Sequence, residues 1–289
     1  FSTENESGGL TGSDFEIIGF SKNGGNADTV IINSLTSFSG VPLIGGEVEI
    51  RINITPNNTA AGTETFNVRP AAGSVFDRGG NLLDPSGNTQ SFTLFDLLSP
   101  TVSFDPAPDS LIYPSETFIL TFSEPVVKLD SSAVTNTNLE LMVQLKYTSD
   151  AVEDIQFQAS INAIKTVVTI TPATELDQQR SLRVSFDSVF MDGSGNLVAP
   201  IGSNYTVRDI TAPIIDSANY AIDNTHITVL VSEGVYGDTS ATAGLDTSDF
   251  EITFQSNGGS AQQVSIESIT NTSGTQLIGG ESAIQVNLL

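Results

Sequence analysis

Residues 117–126 read T-F-I-L-T-F-S-E-P-V. Phe118, Leu120 and Phe122 fall on one face, Thr117, Ile119 and Thr121 on the other. A period of two, built from β-branched and aromatic residues, is the mark of a half-buried strand, and Ser-Glu-Pro ends it. The same alternation recurs along the chain. Leu139, Leu141, Val143, Leu145 and Tyr147 alternate with Glu140, Met142, Gln144 and Lys146 and predict one strand over 139–147. Ile155, Phe157 and Ala159 form another, with Gln156 and Gln158 outward. Leu182, Val184 and Phe186 form a third, and Phe66 with Val68 and Phe92 with Leu94 complete the set. Between these runs stand Asn23-Gly24-Gly25, Arg78-Gly79-Gly80-Asn81 and Asp192-Gly193-Ser194-Gly195-Asn196, clusters of turn residues. No amphipathic helix is legible. The fold class expected is all-β, antiparallel β-sandwiches.

Repetition organises the chain. Asp14-Phe15-Glu16-Ile17 returns as Asp249-Phe250-Glu251-Ile252, Asn23-Gly24-Gly25 as Asn257-Gly258-Gly259, and Leu43-Ile44-Gly45-Gly46-Glu47 as Leu277-Ile278-Gly279-Gly280-Glu281. A middle segment is a more distant copy. Ile54-Thr55-Pro56 matches Ile170-Thr171-Pro172. Asp77 to Leu82 matches Asp192 to Leu197 in a D-x-x-G-N-L core, and Phe122-Ser123-Glu124 matches Val231-Ser232-Glu233. Two linkers share the form D-x-x-x-P, Asp96 to Pro100 and Asp209 to Pro213, where proline holds the preceding residue extended. Three modules follow: 1–98, lacking its first strands; 99–211, complete; and 212–289, lacking its last strands. The chain, which opens on Phe1, reads as a window cut from a longer array. Strand donation by a neighbouring chain is the other way to close the end modules.

The stretches Thr121–Val126, Asp77–Leu82, Asp192–Leu197 and the D-I-T-A-P linker at Asp209–Pro213 resemble those of bacterial Ig-like (Big-type) domains. Such domains occur in tandem in surface adhesins, S-layer-type proteins and large secreted proteins. The resemblance covers most of module two and parts of the others. It implies tandem Ig-like sandwiches joined by short proline-containing linkers, and roles in adhesion, scaffolding or spacing. Module two departs from its neighbours in lacking L-I-G-G-E.

Composition narrows the function. The chain has 289 residues, with 34 Asp+Glu against 10 Lys+Arg and a net charge of -24. Nucleic-acid binding needs clustered Lys and Arg, so it is excluded, and an anionic membrane surface is disfavoured for the same reason. No apolar run is long enough for a transmembrane helix. Cysteine is absent, which removes disulfides, thiol nucleophiles and cysteine-ligated metals. The single histidine, His226, sits in a strand pattern with no nucleophile elbow near it, so no enzyme activity is expected. Tryptophan is also absent, which weakens a sugar-stacking surface. The Gly-Gly runs lack a following helix and lysine; they read as hairpin turns rather than phosphate cradles, and L-I-G-G-E as a bend entering a strand.

The acids are more informative. In an Ig-type sandwich the first strand runs away from the preceding linker and the second returns toward it. The loop opening the last strand lies at that same end. Asp96 from the linker, Glu124 from S-E-P and Asp192 from D-x-x-G-N are therefore expected together. Asp209 and Glu233 form the same corner in module three, and Asp77 is the surviving member in module one, where Thr3 stands in place of the glutamate. Three carboxylates with turn carbonyls suit a hard cation, and Ca²⁺ is the cofactor expected. The competing reading makes Asp77 and Asp192 turn formers and pairs Glu124 with Lys128. The function expected is mechanical: a semi-rigid stalk at a bacterial cell surface or in the extracellular medium. Its partners would be neighbouring modules, other copies of the chain or a cell-surface ligand. Alternatives are a filament or sheath subunit that exchanges strands, and an accessory or carbohydrate-binding region of a secreted enzyme.

Overall fold

Side chains of alternating polarity gain most when the backbone is extended and one face is shielded, and the computed structural model of the protein shows that outcome along its length. It describes residues 8–84, 86, 89–149 and 152–289. The described residues form two compact units, one ending at Arg208 and one spanning Asp209–Leu289.

The first unit contains sixteen strands: β1 (Phe15–Ser21), β2 (Val30–Thr36), β3 (Arg51–Pro56), β4 (Thr65–Pro70), β5 (Phe92–Thr93), β6 (Val102–Asp105), β7 (Leu111–Ile112), β8 (Phe118–Phe122), β9 (Val127–Lys128), β10 (Val143–Tyr147), β11 (Glu153–Asp154), β12 (Phe157–Ile161), β13 (Val167–Pro172), β14 (Ser181–Phe186), β15 (Phe190–Met191) and β16 (Ile201–Val207). The second unit holds β17 (Ile215–Tyr220), β18 (His226–Val235), β19 (Ile266–Thr270) and β20 (Glu281–Leu288).

Residues 102–207 form a β-sandwich. One sheet has the order β11-β10-β14-β16-β7 and the other β12-β13-β8-β6. All pairs are antiparallel except β7 with β16, which is parallel. Between the sheets lie Phe118, Leu120, Phe122, Val168, Ile170, Leu182, Val184 and Phe186, all buried. Phe122, Phe186 and Phe190 stack mutually at centroid distances of 6.0, 5.3 and 5.2 Å. Each such side chain is worth ~1.5–3 kcal/mol by burial. Residues 8–98 bury two smaller clusters. One centres on Val30, Phe66, Val68 and Leu94, the other on Leu10, Leu35, Leu43 and Val75. The sheets there are β1-β4-β5 and β2-β3. The second unit is one four-stranded sheet, β17-β18-β20-β19, over Val229, Ile269, Leu277, Ile284 and Val286.

Two expectations about local structure are corrected. The strand read over 139–147 begins only at Val143. Before it comes one helical turn, α1 (Asn136–Leu139), started by Thr135, whose N–H is capped by the Asn138 side chain at 2.9 Å. The turn drives Leu139 into the core and leaves Leu141 89% exposed, so the alternation from 139 to 142 does not describe a strand. The Asn-Gly turns do have positive φ at both central residues, 46° and 83° at Asn23-Gly24 and 42° and 83° at Asn257-Gly258. They are not hairpins, however: β1 pairs with β4 and β2 with β3, so the first turn carries the chain from one sheet to another.

Leu-Ile-Gly-Gly-Glu is a bend before a strand in both copies. The Glu47 carboxylate accepts the N–H groups of Ile44 and Gly45 at 2.7 and 3.0 Å. Glu281 does the same for Ile278 and Gly279 at 2.9 Å each. The second glycine of each pair has φ of 87° or 84°, a region that penalises any side chain.

Candidate metal centre

Asp96 lies just before the 102–207 sandwich and is held against residues 60 and 61. Ala61 bridges to it antiparallel, and Leu97 donates its N–H to the Ala60 carbonyl at 3.0 Å. Gly62, at φ 74°, lets the chains approach this closely, since a Cβ there would stand 2.8 Å from the Asp96 Cβ. The Asp96 carboxylate accepts the Leu98 N–H at 3.0 Å, an Asx-type turn that aims the chain into the linker. Glu124 follows from the antiparallel return of β8 on β6, in which Val102 faces Phe122. Ser123 clamps this end: its N–H donates to the Thr101 carbonyl at 2.9 Å and its hydroxyl accepts the Thr101 N–H at 3.0 Å. The adjacent Glu124 is thereby placed at the linker.

Asp192 is buried, at 2% exposure. Its Oδ1 accepts the N–H groups of Ser194 and Asn196 at 2.8 and 2.9 Å, and its Oδ2 accepts Asn196 Nδ2 at 2.8 Å. This is the turn-forming role weighed from the sequence. The same loop nevertheless brings the acid to the corner. One carboxylate oxygen each from Asp96, Glu124 and Asp192 lie within 4.8 Å of one another. Burial, then the negative charges of Asp96 and Asp192, push the Glu124 pKa up. Lys128, the expected partner of Glu124, pairs instead with Asp130 at 3.3 Å.

The second unit repeats two thirds of this arrangement. Asp209 accepts the Thr211 N–H at 3.1 Å, as Asp96 does from Leu98. Ser232 clamps Ile214 at 2.9 and 3.0 Å, as Ser123 clamps Thr101. Burial raises the Glu233 pKa, helped by a hydrogen bond with Asp209 and its charge. In the D-x-x-G-N loop at Asp77, the carboxylate accepts Gly79 N–H, Asn81 N–H and Asn81 Nδ2 at 2.8, 2.8 and 2.9 Å. These bonds lower its pKa. Asp77 is exposed, and among the described residues it joins no group of three acids; Thr3, its predicted neighbour, lies outside them.

Sequence reasoning passed over Asn196 as a turn residue. Its Nδ2 also donates to the Asp96 carbonyl at 3.2 Å and ties the loop to the linker. The signal was the Asn that both D-x-x-G-N loops share.

The donor set is chemically selective. Ca²⁺–oxygen distances of ~2.3–2.6 Å put the oxygens around one ion up to roughly 5 Å apart, and the three carboxylate oxygens lie within 4.8 Å of one another, so small side-chain adjustments suffice to bring them to one ion. With no Cys or His in the group, it suits a hard cation.

No family model matches the chain, and no curated protein matches it. Among solved structures, the chain is similar to the methionine-rich copper resistance protein PcoC of Escherichia coli, with 20% identity over 38% of this chain and 100% of that one, at a TM-score of 0.28. It is also similar to the N-terminal part of the bacterial S-layer protein SbsC, with 16% identity over 66% of this chain and 44% of that one, at a TM-score of 0.27. L,D-transpeptidase 3 of Mycobacterium tuberculosis shows 14% identity over 58% of this chain and 75% of that one, at a TM-score of 0.24. At these levels no function transfers to this chain. Among the described residues no helix is long and apolar enough to cross a membrane.

Proposed function

We propose that this chain is a non-catalytic structural section of an extracellular, repetitive bacterial surface protein of the Ig-like kind, in which Ca²⁺ fixes each linker to the module that follows it. The observation that carries the reading is the meeting of Asp96, Glu124 and Asp192, drawn from a linker, a strand end and a loop far apart in sequence. Three like charges this close repel, and the Glu124 pKa is raised first by burial and then by the charges of Asp96 and Asp192. A divalent cation converts the repulsion into attraction and joins the linker to two elements of the sandwich. Repetition of the Asp–Ser–Glu arrangement at Asp209, Ser232 and Glu233 supports a device belonging to the repeat rather than to one accidental corner.

Asp96, Glu124 and Asp192 would supply the carboxylate ligands. Asp209 and Glu233 would begin the corresponding site of the next module. A surface with so few bases gives neighbouring chains little reason to adhere and favours cations. Melting the full chain with and without millimolar Ca²⁺ tests the proposal. The transition of the sandwich at 102–207 should rise in temperature with Ca²⁺, and Asp192→Asn should remove the rise. An unchanged transition contradicts it.

A further inference from the structure

We infer that the helical turn α1 is a guard over the outer edge of β12, and that the strand it keeps away is the β12 of a second copy of this chain. The inference is independent of calcium. It rests on a turn that the chain builds three times, at Thr11-Gly12-Ser13-Asp14, Thr135-Asn136-Thr137-Asn138 and Asp246-Thr247-Ser248-Asp249. In each, the side chain of the fourth residue accepts the N–H of the first, at 2.6, 2.9 and 2.9 Å. Each turn also lies against one strand: Gly12–Asp14 against β2, α1 against β12, and Thr247–Asp249 against β19. β12 and β19 stand last in the strand order of their sheets, and β2 forms a two-stranded sheet with β3. A turn repeated beside a terminal strand in every module has a task there beyond changing the direction of the chain.

The ladder with β13 fixes which way the main chain of β12 points. The Ala173 N–H donates to the Gln156 carbonyl at 2.8 Å, and the Asn162 N–H to the Val167 carbonyl at 3.0 Å. Even-numbered residues therefore turn their groups toward β13, and Phe157, Ala159 and Ile161 turn theirs outward. α1 engages that outer row directly, since Asn136 Oδ1 accepts the Ile161 N–H at 2.9 Å. Farther along, Asn136, Thr137 and Glu140 line a groove of about 430 Å³ with Gln158, Ala159 and Ser160, which sets a carboxylate beside the same edge. The strand itself has no other protection. Edge strands are commonly kept apart by charged side chains or proline, and Phe157-Gln158-Ala159-Ser160-Ile161 has neither, in a chain with 34 acids. A neutral strand gives a charged partner nothing to complement, whereas its own copy matches it. Two copies of β12 running antiparallel about Ala159 set Phe157 against Ile161 and Gln158 against Ser160, with no charge opposed, and such a two-fold contact closes at a dimer.

The test loosens the guard and reads the register. Asn136→Ala with Asn138→Ala removes the bond to Ile161 and the cap on Thr135; Asn136→Ala alone, at an exposed site, is the milder variant. Sedimentation velocity of the full chain is run with chelator, in roughly 0.5 M NaCl to screen the net negative charge. The doubly substituted chain should dimerise at least about fivefold more tightly than the native chain, with Asn136→Ala alone between the two. The chain has no cysteine, so one can be placed at will. In the doubly substituted background, chains carrying the exposed-site substitutions Gln158→Cys or Ser160→Cys are mixed and mildly oxidised, and the dimers are weighed by mass spectrometry. Residues directly opposite lie closer than diagonal ones, so mixed dimers should outnumber the two homodimers together by at least about fivefold. Self-association no tighter than that of the native chain, or mixed dimers no commoner than homodimers as unfolded chains would give, overturns the inference.

Discussion

The side chain of Asn196 donates both to the carbonyl of Asp96, at 3.2 Å, and to the carboxylate of Asp192, at 2.8 Å. One amide therefore joins the linker to the loop that opens β16, and it holds two of the three clustered acids at a fixed separation. Replacing it with alanine leaves a buried carboxylate short of one donor and frees the linker carbonyl. Asn196→Ala should destabilise the 102–207 sandwich by about 1–2 kcal/mol in chemical denaturation, and the loss should persist in the presence of Ca²⁺.

Glu124 gives a prediction whose sign depends on calcium. Its folded pKa is raised, by burial first and then by Asp96 and Asp192. The folded state therefore holds that proton more tightly than the unfolded chain does. Stability from this source is complete below the unfolded carboxyl pKa of about 4.3 and is lost as pH rises through the folded value. Without Ca²⁺, Glu124→Gln should raise the melting temperature at pH 7 and flatten the decline above pH ~4. With Ca²⁺ the same substitution removes a ligand and should lower the melting temperature relative to the native chain. Thermal scans at several pH values, with chelator and with Ca²⁺, check both halves.

Glu64 behaves in the opposite way. It is fully buried, yet its carboxylate accepts main-chain N–H groups from Asn26, Ala27, Ala61 and Thr63. Burial pushes its pKa up, but the N–H donors of Ala27, Ala61 and Asn26 outweigh burial and hold it down at about 2. Its contribution is present above the unfolded value of about 4.3 and is lost as pH falls toward 2. Glu64→Gln turns an amide NH₂ toward those donors and should cost the fold around it about 2–3 kcal/mol at pH 7. Its acid-unfolding profile between pH ~4 and 2 should become shallower, as read by denaturant titration across that range.

Much of this was legible in the residues, for stated reasons. Phe118, Leu120 and Phe122 alternate because one face of β8 is covered, and alternation survives in any sheet so covered. The corner of Asp96, Glu124 and Asp192 could be placed because strand direction in a sandwich determines which loops share an end. What escaped notice depends on partners. The pattern at Leu139–Met142 alternates as a strand does, but the Thr135 cap and Asn138 make it a helical turn. Residues 47–50 are counterparts of 281–284 in the repeat and yet are irregular where 281–284 are strand, a difference that sequence correspondence alone does not report. Asn196 looked like a turn residue because its second role, reaching Asp96, involves a residue a hundred positions away.

Equilibrium dialysis of Ca²⁺ against the full chain, beside a chain carrying Asp96→Asn, Glu124→Gln and Asp192→Asn together, tests the central claim most directly. The account predicts saturable binding to the native chain with a Kd of about 0.1–1 mM or tighter, and at least one ion fewer bound by the triple variant. Equal binding by the two chains at every concentration would contradict it.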